Sequence, residues 1–401
     1  MNQGTPDPTA AGQDVLLHRS GPLKKELVAF GQSDRFAREF RSAHADRFPT
    51  AKPRNEADYI NFLDRFVLEH RTRDGRTIVE QFAASRPDLP QAERAMLVGW
   101  AKVVEGIFEV EHHDGHAAVM VNLVDELTYR VRSNNGPRLL EQFDPQSILW
   151  ARIVPLGNDW LLSGSLTSVP SEGRREMCRI AGQLANTSPA AVFRNPDKLA
   201  LGWQLHHRLR KHFIEYFGTD LAVVTGPELA DRMAGFWNHH ATRINATQSP
   251  APAETTPSTN PDTPDDEQPP PIPQMSISPD LYHAETVGIM FDEVDGLWFL
   301  PEYQLVRDVF ADPALITGRR REAISGYLKS PSIPPVVLRR LAEQDPDHAS
   351  RVFARLLGKP RFTWQHDAEA LLRRYKADLL DRAPLPGVTP LSNRQRAFLQ
   401  P

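Results

Sequence analysis

The chain has a single cysteine, Cys178, in 401 residues. Disulfide frameworks and Cys-rich zinc or iron–sulfur centres each need more than one thiolate, so both are excluded. Cys178 follows Arg174, Arg175 and Met177 in a helical stretch. Guanidiniums beside a thiol lower its pKa, but one cysteine in such a setting reads as a small packing residue. No apolar run approaches the roughly 20 residues needed to cross a bilayer. Residues 1–20 lack the basic start and continuous apolar stretch of a secretory signal, so a cytoplasmic protein with no membrane partner is expected. Charge of one sign is also missing. Lys and Arg total 47 against 51 Asp and Glu, a net charge of −4, which leaves no strong field to recruit nucleic acid or membrane. Phosphate-cradling GxxxxGK[ST] and GxGxxG motifs are absent, and so is a GxSxG nucleophile elbow; Ser163-Gly164-Ser165 falls at a strand end. No catalytic residue and no cofactor are assigned, and the enzyme question leans to no.

What is present is a change of period along the chain. Residues 1–21 are polar, with Pro6 and Pro8, and read as a flexible tail. From Pro22 a helical stripe runs through Leu23, Leu27, Phe30, Phe36 and Phe40. Asn55 caps a clearer helix with Tyr59, Phe62, Leu63, Phe66 and His70 on one face. Further helices fit Thr77–Ala84 and Gln91–Val104. Alternation then sets in at Ile107–Glu111 and recurs in Ala118–Val124, Thr128–Val131, Ile148–Pro155 and Trp160–Thr167. Short strands so closely spaced predict a small antiparallel β-barrel-like module at 107–168. Helices return at 172–185, 196–217 and 228–240.

Composition shifts abruptly at 246–275, which holds nine prolines and five acidic residues without a lysine or arginine. Such a segment buries too little apolar surface to offset its ordering entropy and is expected to be a disordered linker, spanning roughly 30 Å. Beyond it, 276–385 reads as strand pieces at Val287–Phe291 and Leu297–Leu300 followed by short helices, a compact irregular bundle. Leu338–Ala342 before Asp345-Pro346 is faintly like a HEAT repeat, but no self-similar period supports a solenoid. Residues 386–401 read as a second flexible tail. The predicted fold class is mainly α with a small antiparallel β module, an α+β chain of two domains (22–245 and 276–385) joined by a proline-rich disordered linker.

Three groups of side chains invite chemistry. His112, His113 and His116 share one turn with Glu111 and Asp114, a donor set suited to zinc or nickel, yet they lack the helical four-residue spacing of a metallohydrolase; a solvated turn is the plainer reading, and no metal is assigned. His206, His207, Arg208, Arg210, Lys211 and His212 form a basic stretch on the long helix, which either meets phosphates or is a solvated face. Trp150 and Arg152 share a strand face, where a guanidinium could stack on the indole and the pair could bind peptide or single-stranded nucleic acid; the plainer reading is that Trp150, like Trp160, is core. Arg319-Arg320-Arg321 is too short to count alone. The candidate binding residues are therefore Trp150, Arg152, His206, His207, Arg208, Arg210 and Lys211.

The pattern Tyr59–Glu69, Gly75-Arg76-Thr77, Val79-Glu80, Glu93-Arg94 and Phe108-Glu109-Val110 resembles a group of uncharacterised bacterial proteins. Leu123-Val124-Asp125, Tyr129-Arg130-Val131, Leu149–Pro155 and Trp160–Gly164 continue the same likeness, which covers about residues 57–168. Some members of that group end in a SEC-C motif, a Cys-rich zinc segment similar to the tail of the SecA translocation ATPase. With only Cys178 this chain cannot form that segment, so no link to secretion or ribosomes carries over, and the resemblance implies no catalytic residues. The function expected is a non-catalytic binding or adaptor protein with a protein partner. The alternatives are a nucleic-acid-associated protein using the β module and the basic helix at 203–217, and an enzyme with an unrecognised site.

Overall fold

The computed structural model describes residues 8–49, 53, 55–248 and 277–399, which divide into two compact units, 8–196 with 391–399, and 197–390.

In the first unit, helix α1 spans Pro8–Gly31. The flexible tail expected over 1–21 is therefore corrected from residue 8 onward. The reason is a stripe at Leu16, Ser20, Leu23 and Leu27 that continues the packing face upstream of Pro22, with Ser20, Leu23 and Leu27 fully buried. Pro22 removes the N–H that would bond the His18 carbonyl, and its exposed position keeps its ring clear of the core. Helices α2 (Ala37–Arg47), α3 (Glu56–Glu69), α4 (Ile78–Ser85) and α5 (Gln91–Gly99) follow. Asn55 caps α3 by accepting from the Asp58 N–H at 2.8 Å. Thr77 and Glu80 form a reciprocal capping box on α4. The buried residues of α1, α3, α4 and α5 close over Trp100 and the Val154, Leu156 and Leu161 end of the sheet.

The sheet has five strands, β1 (Val104–Asp114), β2 (Ala117–Asn122), β3 (Thr128–Arg132), β4 (Ile148–Leu156) and β5 (Asp159–Val169). Strand β1 pairs with both β2 and β4, β2 with β3, β3 with β5 and β5 with β4, so the order returns to its start. A ring of antiparallel neighbours needs an even number of strands. With five, one pair must run parallel, and it is β3 with β5, through Val131↔Trp160 and Arg132↔Leu161. The expectation of a purely antiparallel module is corrected to a mixed sheet for this reason. Phe108, Met120, Tyr129, Leu149, Ala151 and Ile153 are among the buried residues of its core.

Helix Arg174–Thr187 lies on β1 and is covered in turn by the helix Asn393–Leu399. The second flexible tail, expected over 386–401, is thus also corrected as far as residue 399. Leu391 and Phe398 pack on the Cys178 and Ala181 face, and the fully buried Gln395 amide donates to the Val124 carbonyl at 2.7 Å. Cys178 is buried among these apolar groups, and burial pushes its thiol pKa up.

The second unit pairs β6 (Leu221–Val224), β7 (Val287–Asp292) and β8 (Gly296–Pro301) in an antiparallel sheet of order β6-β7-β8. Strand β6 falls between the helices expected at 196–217 and 228–240, where no strand is expected. Its ladder with β7, from Leu221↔Met290 to Val224↔Val287, joins residues before the acidic segment to residues after it. Residues 197–245 consequently belong with the C-terminal residues, and the boundary expected beyond 245 moves to Pro196. Residues 246–248 end the helix Leu229–Gln248, and the rest of the expected linker lies outside the described residues. Five helices between Tyr303 and Leu380 gather round a common core that includes Val306, Phe310, Tyr327, Leu338, Leu341, Phe353 and Leu372. Lys376 is buried in the last of them, donates to the Ile333 carbonyl at 2.8 Å and also to that of Ser330, and is pushed down to about 8 by its burial.

Helices Pro196–Phe217 and Leu229–Gln248 meet through His212 and His240, whose Nδ1 atoms are 2.8 Å apart. Burial, then the neighbouring His212, Arg208 and His239, push His240 down to about 4. A histidine with a folded pKa below its ordinary value of about 6.5 leaves the unfolded chain holding more protons, so stability falls as pH is lowered from about 6.5 toward 4. Calorimetry across that window is expected to show a falling melting temperature, and His240→Gln is expected to reduce the fall.

Candidate functional site

Helix α3 carries a charged residue where its neighbours are core. In the run Phe62–Leu68, Asp64 is 2% exposed, as buried as Phe66. Its partners come from α1 and from strands β4 and β5. Arg152, also 2% exposed, donates from Nε to Asp64 Oδ2 at 2.8 Å, from Nη1 to Glu105 Oε2 at 2.6 Å and from Nη2 to Glu69 Oε2 at 2.5 Å. Lys24 donates from Nζ to Asp64 Oδ1 at 2.5 Å and to Ser163 Oγ at 3.0 Å, and Ser163 Oγ donates to Asp64 Oδ1 at 2.7 Å. Arg65 closes the outer side on Glu105 at 2.5 Å. Three cations (Lys24, Arg65, Arg152) thus face three carboxylates (Asp64, Glu69, Glu105), so the cluster is neutral as a whole.

A bulge in β5 makes this meeting possible. Opposite β4, Arg152 pairs with Ser163 but Trp150 pairs with Thr167, so β5 takes four steps where β4 takes two. Gly164 sits in the bulge at φ +67, the left-handed region that glycine enters without strain. A Cβ there would lie 2.6 Å from Asn61 Oδ1. The bulge also frees the Ser165 N–H from the ladder, and it donates to Asn61 Oδ1 at 2.7 Å. Asn61 and Asp64, one turn apart on α3, therefore grip the bulge by its backbone and by the Ser163 hydroxyl. The Ser163-Gly164-Ser165 triplet, read as a strand end, is an irregularity inside the strand.

Beside the cluster opens a cavity of about 910 Å³. Leu17, Val28, Ile60, Leu63 and Leu161 give it apolar walls; Trp100, Asp64, Lys24 and Ser163 reach its lining from below, and the turn Ser133–Pro137 forms part of the rim. Burial raises the pKa of the Asp64 carboxyl, but the Lys24 and Arg152 charges and the hydrogen bonds from Lys24 and Ser163 outweigh it and hold the group below the ordinary carboxylate value. A carboxylate so held is a weak general base. Lys24 lies 5.4 Å over the Trp100 ring, and the Trp100 indole N–H is buried with no acceptor.

The residues singled out in the sequence fall as follows. Trp150 and Arg152 do share a strand face, since both donate to Glu105, the indole N–H at 3.3 Å. They do not stack: among the described residues Arg152 lies over no aromatic ring, because its guanidinium turns inward to Asp64. Trp150 is 38% exposed, whereas Trp160 is half-buried with its edge on Tyr129. The basic stretch is not one outward face. His206 is fully buried against Phe291 and accepts from the Gly387 N–H, and His212 is buried on His240. Arg210 is half-buried, donating to the Phe291 carbonyl and pairing with Asp220 at 3.5 Å. His207 and Lys211 are exposed and Arg208 is half-buried. The helix is hemmed in on more sides than its apolar stripe implies, which corrects His206 as an accessible ligand. The three histidines do not share one turn: His112 and His113 lie in β1 and His116 in the turn after it, His113 bonds the Phe143 carbonyl and His116 bonds Glu141, and among the described residues no group of three or more His, Cys, Asp or Glu is placed to hold a metal ion.

Sequence reasoning missed Lys24, Asn61, Asp64, Glu69, Trp100, Glu105 and Ser163. The available signal was a pair of charges in apolar company: Asp64 inside Phe62–Leu68, and Arg152 between Ala151 and Ile153.

Removing one member of a buried pair leaves the other charge uncompensated, at a cost of about 3–5 kcal/mol. Arg152→Met is expected to lose that much in denaturant unfolding, and Arg152→Met with Asp64→Leu to recover part of it. Gly164→Ala is expected to cost about 1–3 kcal/mol through strain at positive φ and contact with Asn61; equal stability of the variant and the parent would refute the tight bulge.

Compared with protein-family models, with curated proteins and with solved structures, the chain matches none.

Proposed function

We propose that the chain is a non-catalytic binding protein, an adaptor whose first unit receives a ligand in the cavity beside Asp64. The observation that supports this is the pairing of a roomy, mostly apolar cavity with a locked polar floor. Its volume of about 910 Å³ falls in the range of small-ligand sites, near 300–1,000 Å³. The polar groups at its base are already committed to one another. Asp64 accepts from Lys24, Ser163 and Arg152, which leaves it poorly suited to take a proton from a substrate or from Ser163. A site of this kind holds its ligand and leaves it unchanged.

Ile60 supplies the test. It lines the cavity and is 40% exposed, so a larger side chain there narrows the opening without entering the core. In a thermal-shift screen of small amphipathic molecules, compounds that raise the melting temperature of the parent chain are expected to lose their effect on Ile60→Trp and to be recovered chemically intact. Ligands that stabilise both proteins equally, or that return as products, would overturn the proposal.

A further inference from the structure

The geometry points to an amphipathic carboxylate as the ligand of this cavity, its charged head at Lys24 and Lys25 and its apolar body along Leu17, Val28, Leu63 and Leu161. The inference rests on reading the cavity as a binding site and adds what kind of molecule it holds.

The unsatisfied polar chemistry around the cavity is of one kind. A lysine ammonium carries three N–H donors, and Lys24 directs two of them, to Asp64 and Ser163. The third has no acceptor among the described residues. Lys25, the next residue of α1, also lines the cavity, is exposed, and takes part in none of the ion pairs formed among the described residues. Trp100 lines the same cavity and its ring lies 5.4 Å from the Lys24 ammonium, but its indole N–H is itself buried and is not a donor offered to the cavity. The two carboxylates of the lining, by contrast, are engaged. Asp64 already holds three donors, and Asp14 pairs with Arg132 at 2.6 Å. A ligand that brings more donors or a positive charge meets two lysines. One that brings oxygens with negative charge completes Lys24 and neutralises Lys25, and charge-assisted bonds of this type are stronger than neutral ones. Most of the exposed lining is apolar, from Leu17, Val28, Ile60, Leu63, Val154 and Leu161, and that surface gives nothing to a wholly polar anion, so the head must carry an apolar body.

Titration calorimetry on the full chain with decanoate, decanol and decylamine, all below their aggregation limits, separates the possibilities. Decanoate is expected to bind about tenfold or more tighter than decanol, with no detectable binding of decylamine. Lys25→Glu, an exposed substitution that leaves the Asp64 cluster untouched, is expected to weaken decanoate about fivefold and to leave decanol unchanged. Ile60→Trp is expected to abolish decanoate binding. Decanol equal to decanoate, or Lys25→Glu without effect, would overturn the anionic head while leaving the cavity as a binding site. If none of the three binds, or if Ile60→Trp binds decanoate like the parent, the site itself is wrong and both readings fall.

Discussion

The first unit depends on a buried charge, Asp64, which stays ionised because Arg152 and Lys24 surround it. Taking a carboxylate and a guanidinium out of water is costly, and their attraction offsets the cost only when the remaining donors and acceptors are also satisfied. Here Arg152 reaches three carboxylates from one guanidinium, and Asp64 takes a donor from each of α1, β4 and β5. The arrangement is specific in a way that apolar packing is not. Leucines on α3 would accept several sliding positions against the sheet, but an aspartate and an asparagine one turn apart fit the bulge of β5 in one register. The ion cluster therefore locates α1 and α3 on the strands, and the cavity is the space those elements leave between them.

A neutral cluster at the cavity floor also sets what the site can do. Its charges compensate one another, so its field falls off quickly, and the groups at the edge of the network decide the selectivity. Lys24 is such an edge group, with two donors held and one left over. It is the point at which a structural network and a recognition surface share a side chain.

Much of the architecture was legible because local rules and tertiary packing agreed. Asn55 before Glu56 and the Thr77/Glu80 box mark helix starts by side-chain chemistry alone, and both α3 and α4 begin there. The alternation at 107–111, 128–131, 148–155 and 160–167 lies within strands of the first unit, and that at 118–124 overruns β2 by Leu123 and Val124, which form the turn after it. Where the reading failed, long-range contacts overrode local composition. Residues 8–21 are polar and proline-flanked, yet a buried face one residue in three or four suffices once a core is there to meet it. Strand β6 has only four residues, and its strand character comes from pairing with β7. Arg152 looked like a surface partner for Trp150 because sequence spacing gives the strand face but not whether that face is covered; helix α3 covers it. The basic stretch at 206–212 failed similarly, since an apolar stripe marks where one neighbour packs and is silent about a second, here β7 on one side and the helix Leu229–Gln248 on the other.

The first unit is assembled from two stretches of chain with all of 197–390 between them. During synthesis the surface on helix Arg174–Thr187 that Leu391, Gln395 and Phe398 occupy must wait uncovered until every residue of the second unit has left the ribosome. Vectorial translation thus gives the early half an interval with an apolar surface and the backbone acceptors of Leu123 and Val124 open to water, a natural point for a chaperone to engage and for a truncated product to be recognised and degraded.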